Sequence, residues 1–273
     1  MPPCFHLNLC ELSNLWKSEM YEALIGGYLG KTPGRISFGS SVCEMQFMSI
    51  SEENISFFND LHDKDGISFS LTIPVARQRY ADQIIMKIDD IVKNLRGLDE
   101  FVVNDQFIID YLRKKYPGIH IIAGRRLCAF EHDFRMDDYS DQMNRALKIA
   151  EDLSAKVDGA EIDLPIPGTL KEHLKQPLSG KTGIPGFIRI HYPAAMMSCT
   201  YYCQYAAENT MRVSSYNSYT ECRRQCQKFA ARYANGVMKI GRGVYYPNRK
   251  DSEDDDFSAY MYFPVYEYME MLK

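Results

Sequence analysis

Short β-rich runs and amphipathic helical stretches alternate in strict order through the first half of this chain, and that alternation restricts the fold more than any other feature. Residues 35–38 (Arg-Ile-Ser-Phe) read as a strand ending at Gly39-Ser40-Ser41, with Cys43 and Glu44 in the loop beyond. Residues 51–65 read as a helix whose Ser-Glu-Glu start suits the positive end of a helix dipole. Residues 67–73 alternate as Ile-Ser-Phe-Ser-Leu-Thr-Ile and predict a strand. Residues 78–95 place Ile84, Ile85, Ile88, Ile91 and Val92 on one helical face. A strand at 101–103, the polar pair Asn104-Asp105, a helix at 106–116 and a strand at 119–123 before Gly124-Arg125-Arg126 complete the run. Elements of this size in this order indicate parallel βαβ units.

Four such strands before residue 125 fit a barrel or a doubly wound sheet. No Gly-x-Gly-x-x-Gly follows any strand, which removes the main support for a dinucleotide-binding open sheet. Further helices are expected at 13–29, capped by Ser13, and at 140–156, and strands at 160–164 and 184–190. Residues 236–246 read as a strand with a Gly-Arg-Gly turn, 249–256 as a charged solvated loop, and the aromatic tail as a final strand or helix. One barrel-like domain spanning 1–273, with a Cys-rich loop region at 191–230, is the expected organisation.

The 45% apolar content supports a sizeable core, and the net charge of −4 argues against tight nonspecific nucleic-acid binding. No apolar stretch approaches the roughly 20 residues of a membrane helix, and the N-terminus lacks the pattern of a signal peptide. A cytoplasmic location is therefore expected. In a reducing compartment, eight cysteines point to metal or redox chemistry more than to a disulfide framework. Cys4, Cys10 and Cys128 read as small buried apolar residues.

Two pairs stand apart: Cys199-Thr-Tyr-Tyr-Cys203 and Cys222-Arg-Arg-Gln-Cys226. On a helix, positions i and i+4 share a face, so each pair can offer two thiolates in one direction. Four thiolates suit zinc or an iron–sulfur cluster, and Arg223 and Arg224 can offset their charge. Glu161 and Asp163 alternate on one strand and are candidate acids or bases, or face solvent. His191, placed just after a strand, is a candidate proton donor or a hydrogen-bonded structural imidazole. Arg125 and Arg126 can clamp a carboxylate bidentately, or bridge to a neighbouring loop. Tyr201, Tyr202, Tyr205, Tyr216, Tyr219, Tyr245 and Tyr246 line a pocket or pack with their hydroxyls wet.

The order of several segments resembles the collagenase-like peptidase family (the U-thirty-two group), in its branch of ubiquinone-biosynthesis accessory proteins. The segments are Ser37-Phe-Gly-Ser-Ser-Val-Cys43, Phe69-Ser-Leu-Thr-Ile-Pro74, Phe101-Val-Val-Asn-Asp105 with Ile119-His-Ile-Ile-Ala-Gly124, His191-Tyr-Pro-Ala-Ala-Met-Met-Ser-Cys199, Thr220-Glu-Cys-Arg-Arg-Gln-Cys226 and Val237-Met-Lys-Ile-Gly-Arg242. The resemblance covers residues 35–246. It implies an α/β fold of the incomplete or distorted parallel (β/α) barrel type, similar to a TIM barrel. It also implies a 4Fe–4S cluster on four of Cys43, Cys199, Cys203, Cys222 and Cys226, with zinc as the alternative. The implied activity is oxygen-independent hydroxylation of an aromatic or heterocyclic small molecule, beside a paralogous subunit or a second copy. A zinc-stabilised scaffold subunit and an RNA-base-modifying enzyme are the alternatives. Two departures stand out: the central loop carries two cysteines where that branch has one, and its Lys-Ile-Glu-Gly-Arg strand lacks the Glu here. Peptidase chemistry is not expected, since no His-Glu-x-x-His motif is present.

Overall fold

A computed structural model of the chain describes residues 34–127 and 156–162, together with segments 4–7, 187–192, 194–199, 230–232, 237–240, 242–247 and 258–263. The helices expected at 13–29 and over most of 140–156, the loop at 249–256 and the end of the aromatic tail lie outside the described residues.

The backbone of the fold is a mixed α/β arrangement of five parallel strands with helices between them. These are β2 (Arg35–Gly39), β3 (Ser68–Ile73), β4 (Leu98–Val103), β5 (His120–Ala123) and β6 (Gly159–Ile162). Each pairs in parallel with the next. The short helix α1 (Glu44–Met48) and α2 (Glu52–Asp65) connect β2 to β3. A 3-10 turn (Gln78–Tyr80) and α3 (Ala81–Asn94) connect β3 to β4, and α4 (Gln106–Lys115) connects β4 to β5. Parallel pairing continues from β6 to β7 (Phe187–Tyr192), then to β12 (Ser258–Phe263) and to β1 (Cys4–Leu7), which also pairs with β2.

Local chemistry sets the element limits. Ser51 caps α2: its hydroxyl accepts from the Asn54 amide while the Asn54 side chain accepts from the Ser51 amide. Gly66, at φ 67°, ends the helix in the left-handed conformation that glycine adopts cheaply. Asp105 caps α4 by accepting from the Phe107 amide, and its other oxygen accepts from the Ala76 amide. Gly39, at φ 110°, ends β2 where the chain presses on β3. A Cβ there would lie 2.2 Å from the Thr72 carbonyl oxygen.

Alternation along the strands divides the sheet into two chemically different faces. Ile36, Phe38, Phe69, Leu71, Ile73, Phe101 and Val103 join Phe58 and Leu61 of α2, Ile84, Ile88 and Ile91 of α3 and Leu112 of α4 in one buried cluster. Each fully buried Ile, Leu or Phe contributes about 1.5–3 kcal/mol of transfer free energy, so this layer is the main stabilising one. Ile85 and Val92 flank the α3 stripe and are only half-buried.

Several sequence expectations change. β4 begins at Leu98 rather than 101, because Asp99 and Glu100 belong to the strand in spite of their charge. Glu44 opens a helix rather than lying in a loop. His191 sits inside β7, since that strand runs to Tyr192. A second, antiparallel sheet in the order β8-β11-β10-β9 was not anticipated. It is built from β8 (Ala194–Cys199), β9 (Ala230–Arg232), β10 (Met238–Ile240) and β11 (Gly243–Pro247). β10 and β11 pair antiparallel, so the stretch expected as one strand with a Gly-Arg-Gly turn is a hairpin.

Candidate functional site

The face of the parallel sheet opposite the helices is largely polar, with the buried Val102 and Ile122 as apolar exceptions on β4 and β5. Ser37 and Thr72 share a hydrogen bond of 2.8 Å, and Ser70 donates to Glu100 at 2.5 Å. Arg189 of β7 grips Glu100 with both terminal nitrogens and lies 3.9 Å from Glu161 of β6. His191 Nε2 lies 2.9 Å from Glu161 Oε2. Arg35 reaches Asp99 with both terminal nitrogens, and Glu100 is 3.8 Å away. Glu100, Glu161, Arg189 and His191 are all buried. Buried charges persist only when paired and hydrogen-bonded, and this ladder of alternating signs across β2, β4, β6 and β7 meets that condition.

Two of the expected acid–base candidates, Glu161 and His191, are thus brought into contact. Asp163 lies outside the described residues. Glu100 and Arg189 were missed as site residues. The signal for Arg189 was parity: in Phe187-Ile-Arg-Ile-His-Tyr192 it stands two residues from His191, on the same strand face.

A second group collects at the C-terminal ends of the strands. After β2, the buried Ser40 hydroxyl accepts from the amides of Val42 and Cys43, at 3.3 and 3.0 Å, which turns the chain into α1. Cys43 and Cys199 both pack, partly buried, against a small cluster of Val42, Met196 and Tyr245. Cys199 ends β8, and its register partner on β11 is Gly243. Burial pushes the Cys199 thiol up, while the nearby Arg126 and Arg242 pull it down and Glu44 raises it further.

Glu44 is 0% exposed and is held from two sides. It accepts from Arg77 Nε at 2.5 Å and Nη2 at 3.2 Å, and from Arg242 Nη1 at 2.8 Å. Arg125 is buried, with its guanidinium over the Tyr245 ring at 5.9 Å. Buried Asn104 orients this loop: its amide donates to the Ile73 carbonyl at 2.9 Å and its oxygen accepts from the Arg126 amide at 2.9 Å.

The donor chemistry suits a thiolate-held metal group. Two thiols from distant segments pack on one small cluster, and the guanidiniums of Arg126 and Arg242 near Cys199 can balance thiolate charge. Among the described residues no set of three or more His, Cys, Asp or Glu side chains forms a ligand group. Cys203, Cys222 and Cys226 lie outside the described residues, as do Tyr201, Tyr202, Tyr205, Tyr216 and Tyr219. Among the described residues no helix is long and apolar enough to cross a membrane. No protein-family profile, curated protein sequence or solved structure matches this chain.

Proposed function

We propose that this chain is a metal-cluster protein on a parallel (β/α) barrel, with the cluster held at the C-terminal ends of the strands. Support for the barrel comes from β1, which pairs in parallel with both β2 and β12 and so leaves neither strand as an edge. The observation that carries the metal reading is the convergence of Cys43 and Cys199 on one apolar patch beside Arg126 and Arg242. Cys43, Cys199, Cys222 and Cys226 are the proposed ligands of a 4Fe–4S cluster. When bound, such a cluster supplies one-electron redox chemistry at a thiolate-lined site.

Two groups of the chain's own residues serve the proposed chemistry. The carboxylate of Glu161 orients the His191 ring, and an imidazole so held is a competent acid or base. Arg126 and Arg242 supply positive charge beside the thiols. Oxygen-independent hydroxylation of an aromatic or heterocyclic small molecule is the proposed activity, and it rests on the sequence resemblance. A paralogous subunit or second copy is the proposed partner, and the cytoplasm the proposed location.

Anaerobic reconstitution followed by iron and sulfide quantification tests the metal reading. The wild type is expected to bind about four irons per chain with a broad visible absorbance, and Cys43→Ala, Cys199→Ala, Cys222→Ala and Cys226→Ala are each expected to lose them. A colourless protein holding stoichiometric zinc would overturn it in favour of a scaffold role.

A further inference from the structure

We infer that the Glu44–Arg242 ion pair is a positioning clamp that sets the approach of Cys43 to Cys199. The two thiols sit on different sheets: Cys43 follows β2 of the parallel sheet, and Cys199 ends β8 of the antiparallel one. Each clamp residue is next to the chain position that places a thiol. Glu44 directly follows Cys43. Arg242 directly precedes Gly243, the register partner of Cys199. The contact closes a sequence separation of 198 residues at 2.8 Å, with the Arg242 side chain 8% exposed and Glu44 fully buried.

The third member of the group makes the clamp separable from folding. Arg77, just beyond β3, holds both oxygens of Glu44 from within the parallel sheet. Removing Arg242 therefore leaves Glu44 paired with Arg77 and α1 anchored, and cuts the ion pair that joins α1 to the β10–β11 hairpin. Removing Arg77 does the reverse. The geometry differs in kind as well: the Arg77 contact joins two neighbouring loops, while the Arg242 contact fixes the hairpin that carries the Cys199 strand. Tyr245, a member of the cluster on which both cysteines pack, belongs to that hairpin and moves with it.

The clamp deepens the proposed metal centre, on which its consequence for cluster loading rests. Its test reads thiol spacing directly. The full chain, reduced and before reconstitution, is treated with dibromobimane, which bridges only neighbouring thiols, and the bridged peptides are mapped by mass spectrometry. Wild type is expected to give the Cys43–Cys199 bridge. Arg242→Gln should form it about tenfold more slowly or worse, since small misplacements cost large factors in intramolecular reactions. Arg242→Lys should be intermediate, and Arg77→Gln should bridge near the wild-type rate. Wild-type bridging in Arg242→Gln, or an equal loss in Arg77→Gln, overturns the clamp. If Arg242→Gln does not fold, wild-type bridging in Arg242→Lys overturns it instead. Iron analysis of untreated portions of the same proteins after anaerobic reconstitution keeps the two readings apart. A wild type without iron refutes the cluster while the bridging rates still decide the clamp. A wild type with iron and unchanged bridging in Arg242→Gln refutes the clamp alone.

Discussion

His191 Nε2 and Glu161 Oε2 meet at 2.9 Å on adjacent parallel strands, with His191 4% and Glu161 2% exposed. Glu161 also lies 3.9 Å from Arg189, which grips Glu100. The dyad is therefore one end of a buried charge ladder, and its members depend on one another.

Cutting that ladder at its centre should be costly. Arg189→Met leaves Glu100 and Glu161 buried without their main cation, and breaking a buried pair in this way costs about 3–5 kcal/mol. Urea unfolding followed by circular dichroism should show this loss. The change Glu161→Gln keeps a hydrogen-bonding group beside His191 and should cost less than Glu161→Leu. Equal stability of Arg189→Met and wild type would show that the ladder does not form.

Asn104 bridges the end of β3 to the loop after β5. Asn104→Ala removes one of two donors to the Ile73 carbonyl, which keeps the backbone amide of residue 104, and takes the acceptor from the Arg126 amide; an amide left unsatisfied costs about 1–3 kcal/mol. A fall in the unfolding midpoint with an unchanged denaturant slope is the expected result. Because Arg126 sits near Cys199, the same variant should also alter the rate at which that thiol is alkylated.

Gly39 has no substitute of ordinary geometry. Its φ of 110° and the 2.2 Å approach to the Thr72 carbonyl oxygen act together. Gly39→Ala should lose at least about 1–3 kcal/mol from backbone strain alone, seen as a lower thermal midpoint. Gly66→Ala, with a positive φ but open space around its Cβ, should be milder.

The outer helices carry a pH-sensitive group. Asp89 accepts from Tyr111 at 2.7 Å, from Tyr116 at 2.6 Å and from Lys115 at 2.5 Å. Burial raises the Asp89 carboxyl, but the hydrogen bonds from Lys115, Tyr116 and Tyr111 outweigh it and hold the group below its usual range. Burial, then the bond to Asp89, pushes the Tyr116 hydroxyl up to about 12. A depressed carboxylate stabilises above its unfolded pKa, and that stability is lost as pH falls through the folded one. A raised hydroxyl stabilises below its unfolded pKa, and that stability is lost as pH rises through the folded one. The group should therefore support the fold from about pH 4 to about pH 10 and fail on both sides. Asp89→Asn should remove the acid limb of a stability–pH curve and only shrink the alkaline one, whose first cause is the burial of Tyr116, and unchanged limbs would refute the assignment.

Much of the parallel scaffold can be read from residue order alone. Ser68-Phe-Ser-Leu-Thr-Ile73 alternates because one face meets helices and the other does not, and the Ile84, Ile88, Ile91 spacing marks the helix stripe that covers it. Capping at Ser51 and the stop at Gly66 are equally local. Such features depend on neighbours within a turn or a strand, so sequence by itself determined them, along with the choice of Cys43 and Cys199 as candidates. The charged start of β4 was hidden, because Asp99 and Glu100 look like loop residues until Arg35 and Arg189 arrive from other strands to neutralise them. His191 was placed one element too late for a related reason. Its strand continues through it because β12 pairs alongside, with Tyr260 opposite His191 and Met261 opposite Tyr192, and Glu161 on β6 gives its buried ring a partner. The gathering of Cys43 and Cys199 on one cluster, and the meeting of Glu44 with Arg242 across 198 residues, had no local signal at all. Only the tertiary structure decided those, because a buried charge or thiol takes its partner from whichever segment the chain topology brings alongside, and that is set by the packing of two sheets rather than by the spacing of residues.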